Sequence, residues 1–230
     1  IVGIFAIGQA PTGSADPYAL RRSAIGILTM IIDGGVHLQL DEAIAAALAG
    51  YEGSIAGLDP NAVGATVKAF FDGRLEVMLR DRGFEYDVVE AVMAVASADP
   101  ADTVHRVRAF TEFRQTEAGR NLSVAFKRVA NLADPVAGET PDHGIMGAEE
   151  RALADAVEVA YERVGALMTV DRDYEAALSA LADLRGPVDA FFESVLVMDP
   201  DDAIRANRLA LLNRLGGLFD GFADFGRLAG

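Results

Sequence analysis

The chain has 230 residues, 51% of them hydrophobic, and carries 20 basic against 35 acidic side chains for a net charge of −15. That length fits one large or two small domains, each able to bury a core. No apolar run approaches the ~20 residues needed to span a bilayer, and the absence of cysteine excludes a disulfide framework and thiolate metal sites, so a soluble protein with no membrane partner is expected, and a reducing compartment, as for a cytoplasmic protein, is compatible with the sequence.

Taken in order, the chain starts at Ile1 without a charged leader, as expected of the interior of a longer protein. Residues 1–14 are apolar and then Gly/Pro-rich, which predicts a connector. Gly3 and Gly8 have the spacing of a phosphate loop, but Gln9 stands where the lysine belongs. A helix is predicted over 17–32, bearing Arg21 and Arg22, and a short alanine-rich one over 41–49, followed by a linker at 50–57. Residues 61–82 form a longer helix with Val63, Val67, Phe70, Phe71, Leu75 and Met78 on one side, stopped by Gly83. Arg74 borders that stripe, either snorkelling along it or facing a ligand.

Val88, Val89, Val92 and Met93 mark the next helix, and Val104, Val107 and Phe110 another. Leu122, Phe126, Val129 and Leu132 follow, with Lys127, Arg128 and Asn131 beside them on the other side. A loop at 134–147 precedes helices marked by Leu153, Val157, Tyr161, Val164 and Met168, and by Tyr174, Leu178 and Leu181. In 184–215, Gly186-Pro187 opens a helix with Val188, Phe191, Phe192, Val195 and Leu196 on one face. Asp199-Pro200 stops it and caps a last helix whose stripe is Ile204, Leu211, Leu215, Leu218, Phe222 and Phe225. These two stripes are expected to face each other, with Arg205, Asn207 and Arg208 off the apolar face.

Five of the eight prolines sit in Asp-Pro pairs, at 16–17, 59–60, 99–100, 134–135 and 199–200. Asp at the N-cap and Pro at the first helical position is a helix start signal, and only the pair at 134–135 precedes a loop and so reads as a turn. No β alternation, repeat or low-complexity tract interrupts the pattern. The fold class is all-α, a helical bundle.

Chemistry is sparse. His37, His105 and His143 stand isolated, with no HxxxH spacing, although Asp102 can pair with His105 across one turn. The acid pairs Asp41-Glu42 and Glu149-Glu150 fall in first helical turns, where the macrodipole favours them. No nucleophile signature is present. A net −15 opposes phosphate binding, but the charge is uneven. Residues 103–133 hold six basic and two acidic groups and 204–230 hold four and two, whereas 134–203 hold four and seventeen. A fold joining the two positive segments would place a basic face on an acidic body, with arginine, which suits bidentate contacts, supplying most of the charge.

The stretches DPYALRRSAIGIL at 16–28, FFDGRLEVMLRDRGFEYDVVEAVMA at 70–94, AFKRVANL at 125–132 and ADLRGPVDAFFESVLVMDPDDAIRANRLALLNRL at 182–215 resemble the beta subunit of bacterial glycyl-tRNA synthetase, over its C-terminal third. Asp202-Ala203-Ile204-Arg205 is similar to the Asp-Ala-Leu-Arg signature of anticodon-binding bundles of the arginyl-tRNA synthetase (DALR) type, with Ile for Leu. The resemblance implies that residues 1–58 end an HD-like helical domain. It implies a helical linker plus anticodon-binding bundle over 59–230, with the bundle core at about 118–230.

It further implies tRNA(Gly) and the alpha subunit as partners, in a heterotetramer of two alpha and two beta chains. ATP and Mg would be handled by alpha, with no cofactor, metal or catalytic residue in this stretch. Recognition would proceed by stacking of unpaired anticodon bases and by hydrogen bonds to their edges, with arginine anchoring phosphates. Arg74, Lys127, Arg128, Asn131, Arg205 and Arg208 border apolar stripes in or near the positive segments and are the tRNA-binding candidates. For Arg205 the structural alternative is an ion pair with Asp201, and for Arg208 packing of its stem on the bundle. The functional alternatives are a helical protein-interaction module without RNA specificity and an HD-type hydrolase, the latter opposed by the lack of His/Asp clusters.

Overall fold

The computed structural model describes residues 1–95, 98–132 and 134–228. Among the described residues eleven α-helices follow one another: α1 Val2–Ala6, α2 Leu20–Asp33, α3 Leu40–Ala49, α4 Pro60–Asp81, α5 Tyr86–Met93, α6 Pro100–Gln115, α7 Glu117–Ala130, α8 Ala148–Ala166, α9 Tyr174–Ala182, α10 Arg185–Ser194 and α11 Asp202–Asp220. Among the described residues the only β pairing is an isolated bridge between Thr12 and Ala15. The all-α expectation stands. The chain divides into two compact units, Ile1–His105 and Arg106–Gly230.

In the first unit α4 is the central element. Its buried Val67, Phe71, Leu75 and Leu79 repeat at helical spacing, and α1, α2, α3 and α5 pack around it. Residues 59–105, expected to form a helical linker ahead of the bundle core, lie in one compact unit with 1–58. Residues 2–6 are helix rather than connector, because Phe5 is buried and its ring lies 5.1 Å from that of Phe70.

The Asp-Pro signal works as physics requires at α4, where Asp59 accepts from the N–H groups of Asn61 and Ala62 at 3.0 and 3.1 Å. At α6, Asp99 does the same for Ala101 and Asp102. At 16–17 it works at a distance. Ala19 turns through φ 54°, so the helix begins only at Leu20, and Asp16 accepts from the Leu20 and Arg21 N–H groups at 2.8 and 3.0 Å. His37, expected to stand alone, is held by Nδ1 2.8 Å from the buried Asp99 carboxylate, with its ring 6.3 Å from that of His105. A hydrogen bond from Leu40 N–H to Ala98 O fastens the segment that carries it.

In the second unit α7 and α8 form the framework on which both α10 and α11 pack. The stripes of α10 and α11 were expected to meet each other; each instead meets α7 and α8. Leu122, Phe126 and Val129 of α7, Leu153 and Val157 of α8, and Leu211, Leu215 and Leu218 of α11 fill the interior. Burying a side chain of this size contributes roughly 1.5–3 kcal/mol. Phe222 and Phe225 are buried as expected, but α11 ends at Asp220. Phe222 lies in the turn that follows and packs on Phe110, while Phe225 begins a short 3-10 helix and packs on Phe110, Phe126 and Phe219, at centroid distances of 4.8–5.7 Å. Helix α10 stops at Ser194, since Val195 is extended (φ −114°, ψ 123°), and Leu196, expected on its buried face, is 67% exposed.

Candidate nucleic-acid interface

Helix α7 is strongly two-sided. The Thr116 hydroxyl caps it by accepting from Gly119 N–H at 3.0 Å, and Leu122, Phe126 and Val129 turn inward. The opposite face shows Arg120, Val124, Lys127, Arg128 and Asn131 to solvent, at steps of three and four residues. Lys127 and Arg128 sit in the last turn, where the helix dipole favours cations. Neither forms an ion pair among the described residues. The Arg128 guanidinium lies 4.3 Å over the half-buried Phe192 ring of α10, a cation–π contact that keeps the cation outward on an apolar platform. Five residues past Asn131, Val136 is 93% exposed.

The α11 candidates behave differently. Asp201 caps α11, its carboxylate accepting from Ala203 and Ile204 N–H at 2.9 and 3.2 Å. That carboxylate is committed to the backbone, so Arg205 pairs instead with Asp202 and donates to Asp199 O at 2.8 Å. Arg208 is taken inward: its Nε donates to Glu150, and its Nη1 to Leu196 O at 2.7 Å and to Asp199 Oδ2 at 2.8 Å. Its side chain is 15% exposed and that of Glu150 only 5%. Burial pulls the Arg208 pKa down, but hydrogen bonds to Glu150 and Asp199 outweigh it and the net direction is up. The Asp201 N–H, and then Arg208, hold the Asp199 carboxyl below its ordinary value. Arg208 thus ties the start of α11 to the start of α8 and to the segment after α10.

Two asparagines of α11 hold residues 134–142 as a strap. Asn213 accepts from Asp134 N–H at 3.1 Å and donates to the carbonyls of Asp134 and Gly138 at 2.6 and 2.8 Å. Asn207 accepts from Asp142 N–H at 2.6 Å and donates to Asp142 O at 3.1 Å. Next to the strap, the Arg214 guanidinium stacks 3.6 Å over the Tyr161 ring and forks onto both oxygens of Glu158 at 2.9 and 3.2 Å. Arg214 lowers the Glu158 pKa through that hydrogen bond.

Of the six candidates, Lys127, Arg128 and Asn131 are thus brought together on one exposed face. Arg205 and Arg208 occupy neighbouring turns of α11, turned to internal carboxylates. Arg74 lies in the other unit, half-buried, with its guanidinium 5.0 Å over Phe70. Sequence reasoning passed over Arg120, which heptad spacing from Lys127 could have found. It also passed over Phe192 as a platform and Arg214, for which no local signal exists. Among the described residues no group of three His, Cys, Asp or Glu side chains is placed to hold a metal ion, and no helix is long and apolar enough to cross a membrane.

With this geometry in hand, comparison with known proteins gives a consistent result for both units. The family described as "Glycyl-tRNA synthetase beta subunit" matches residues 1–94, and the "DALR anticodon binding domain" matches residues 122–220. The chain is similar to the glycine--tRNA ligase beta subunit of Acinetobacter baumannii (strain AYE), at 43% identity over 235 residues covering 100% of this chain and 33% of that protein. The protein of the same name in Vibrio atlanticus (strain LGP32) is 44% identical over 234 residues, covering 99% and 33%. The chain spans about one third of the length of these relatives.

Proposed function

We propose that this chain, which belongs to the family of glycyl-tRNA synthetase beta subunits, binds tRNA(Gly) through the exposed face of α7 and so contributes anticodon recognition to glycine--tRNA ligase. One observation carries this reading. Inside the stretch matching the anticodon-binding domain, Lys127 and Arg128 stay exposed and free of ion pairs among the described residues, beside an exposed apolar residue, Val124, and an aromatic ring, Phe192. Cations of this kind can hold phosphates, while Arg128 on Phe192 offers a flat surface for an unpaired base. In the whole cytoplasmic synthetase, ATP- and Mg-dependent activation of glycine falls to the alpha subunit, in an assembly of two alpha and two beta chains. The present stretch has a binding role only.

A salt titration of binding to tRNA(Gly), with an anticodon-mutated tRNA as control, tests the proposal. The expected result is tighter binding to tRNA(Gly) at every salt concentration and a decline with salt that becomes shallower in a Lys127→Glu/Arg128→Glu variant. Equal affinity for the two RNAs, or a variant that titrates like the parent, rejects it.

Docking of a protein partner such as the alpha subunit is favoured by a different observation. Leu196 and Met198, at 67% and 57% exposure, form an apolar spot on the segment before α11. Their replacement by serine should weaken subunit assembly and leave the salt dependence of RNA binding alone.

A further inference from the structure

Helix α4 carries a pair of charges on the same face as part of its inward stripe. Lys68, Phe71, Asp72 and Leu75 follow at steps of three and four residues, and all four border a cavity of about 110 Å³ inside the first unit. Leu28 of α2, Leu40 at the start of α3 and Met93 at the end of α5 complete its apolar wall. The segment that enters α6 contributes only the short side chains of Ala98, Pro100 and Thr103. That segment is pinned and cannot move in. Ala98 O accepts from Leu40 N–H at 2.9 Å, Asp99 Oδ1 caps α6 at Ala101 and Asp102, and Thr103 donates its hydroxyl proton to Asp99 O at 3.0 Å. A space persists where its walls cannot relax into it.

The two ends of the cavity differ in chemistry. Leu28, Leu40, Phe71 and Leu75 are buried, and among the described residues no buried side-chain nitrogen or oxygen lacks a hydrogen-bond partner. A water molecule needs several polar partners, so an apolar group suits the inner end better. An apolar space of roughly 150 Å³ accepts a molecule the size of benzene, and the branched side chain of leucine or valine is smaller than that. At the outer end Lys68 Nζ stands 2.7 Å from Asp72 Oδ2, with the two side chains 36% and 41% exposed. The head of any molecule whose apolar end lies inside must sit against this pair. A carboxylate alone would be repelled by Asp72 and an ammonium alone by Lys68. A head that carries both charges on neighbouring atoms meets each with its opposite and closes a ring of alternating charges.

We propose that this cavity is a binding site for a small hydrophobic α-amino acid, with its branched side chain between α2, α4 and α5 and its carboxylate and ammonium set against Lys68 and Asp72. Glycine has no side chain to fill the inner end, so the site selects against the amino acid of the ligase reaction. None of the residues assigned to RNA takes part, and the proposal stands independently of the reading of α7.

The test uses the full chain with isotope-labelled methionine methyl groups. The Met93 signal, identified by its loss in Met93→Leu, is followed as free L-leucine is added. A saturable shift is expected, with a dissociation constant of about a millimolar for so small a molecule, while the signal of Met198 in the other unit stays in place. Isocaproate and isoamylamine are leucine without its ammonium and without its carboxylate. Each should bind about fivefold more weakly or worse, and glycine should leave the signal unmoved. Lys68→Met should remove the advantage of leucine over isoamylamine, and Asp72→Asn its advantage over isocaproate. Both side chains are partly exposed, so both variants should fold, which circular dichroism checks; the ranking of the three molecules on the parent is decisive should either variant unfold.

A Met93 signal that leucine does not shift overturns the proposal. So does an acid or an amine that binds as tightly as the amino acid, or a ranking that survives removal of both charges in folded variants.

Discussion

Two stretches of the second unit carry similar positive charge in sequence and end in opposite states. On α7, Lys127 and Arg128 project from a helix whose neighbouring turns hold no carboxylate. On α11, Arg205 and Arg208 lie within reach of Asp199, Asp202 and Glu150 and are consumed by them. The difference teaches that net charge over a segment does not measure available charge. A guanidinium that satisfies a buried carboxylate holds the fold together; only one without such a partner is available to RNA.

The contrast is broken most severely at Arg208. Arg208→Ala removes the partner of the nearly buried Glu150 and should cost about 3–5 kcal/mol of unfolding free energy, because an uncompensated buried charge remains. Urea denaturation followed by circular dichroism measures it. The paired change Arg208→Met/Glu150→Leu should recover most of that stability, since it removes both charges together. On α7 the expectation reverses. Lys127→Glu/Arg128→Glu should leave the unfolding midpoint nearly unchanged and reduce the slope of log affinity against log salt by about 1 for each phosphate that is no longer neutralised.

How much of this was legible in the sequence follows the same divide. The face of α7 could be read because its residues recur every three or four positions, and the cap and inward stripe lie on the same helix. Asp59 and Asp99 were legible for the same reason, since an N-cap reaches only two or three residues ahead. Arg208 was not, because Glu150 lies 58 residues away and only the packing of α8 on α11 brings it near. His37 looked isolated because its acceptor is 62 residues distant. The meeting of the α10 and α11 stripes was misjudged because periodicity shows which face is buried and not what buries it. Phe192, half-buried under Arg128, looks like any core residue in the string.

Acid offers a milder way to sharpen the comparison, and between these two stretches it acts on the α8–α11 side. The backbone N–H of Asp201 and then Arg208 hold Asp199 below its ordinary 3.8, and Arg214 holds Glu158 below 4.5. Each depressed carboxylate contributes stability that is present above its unfolded value and lost as the pH falls through its folded one. Unfolding free energy should therefore decline below about pH 4.5. Asp220, raised mainly by burial, has the opposite sign: its contribution is present below 3.8 and disappears as the pH rises through its folded value. Glu158→Gln should flatten the acid limb of a pH series of denaturation curves. Lys127→Glu/Arg128→Glu should leave that limb in place, because neither residue pairs with a carboxylate among the described residues.

The smallest expected effect belongs to Arg205, the arginine of the Asp-Ala-Ile-Arg signature. Its partner Asp202 is 89% exposed and lies three residues earlier on the same helix, a geometry in which an ion pair contributes about 0.2–1 kcal/mol. Its second bond, to Asp199 O, helps hold a segment that Arg208 already secures at both Asp199 and Leu196. Arg205→Ala should therefore lower the unfolding free energy by no more than about 1 kcal/mol and leave RNA affinity within twofold of the parent. A tenfold drop in tRNA(Gly) affinity in a folded Arg205→Ala protein would place this side chain at the RNA. The division between an open α7 and a self-satisfied α11 would then have to be redrawn, with Asp202 a competitor that the phosphate displaces.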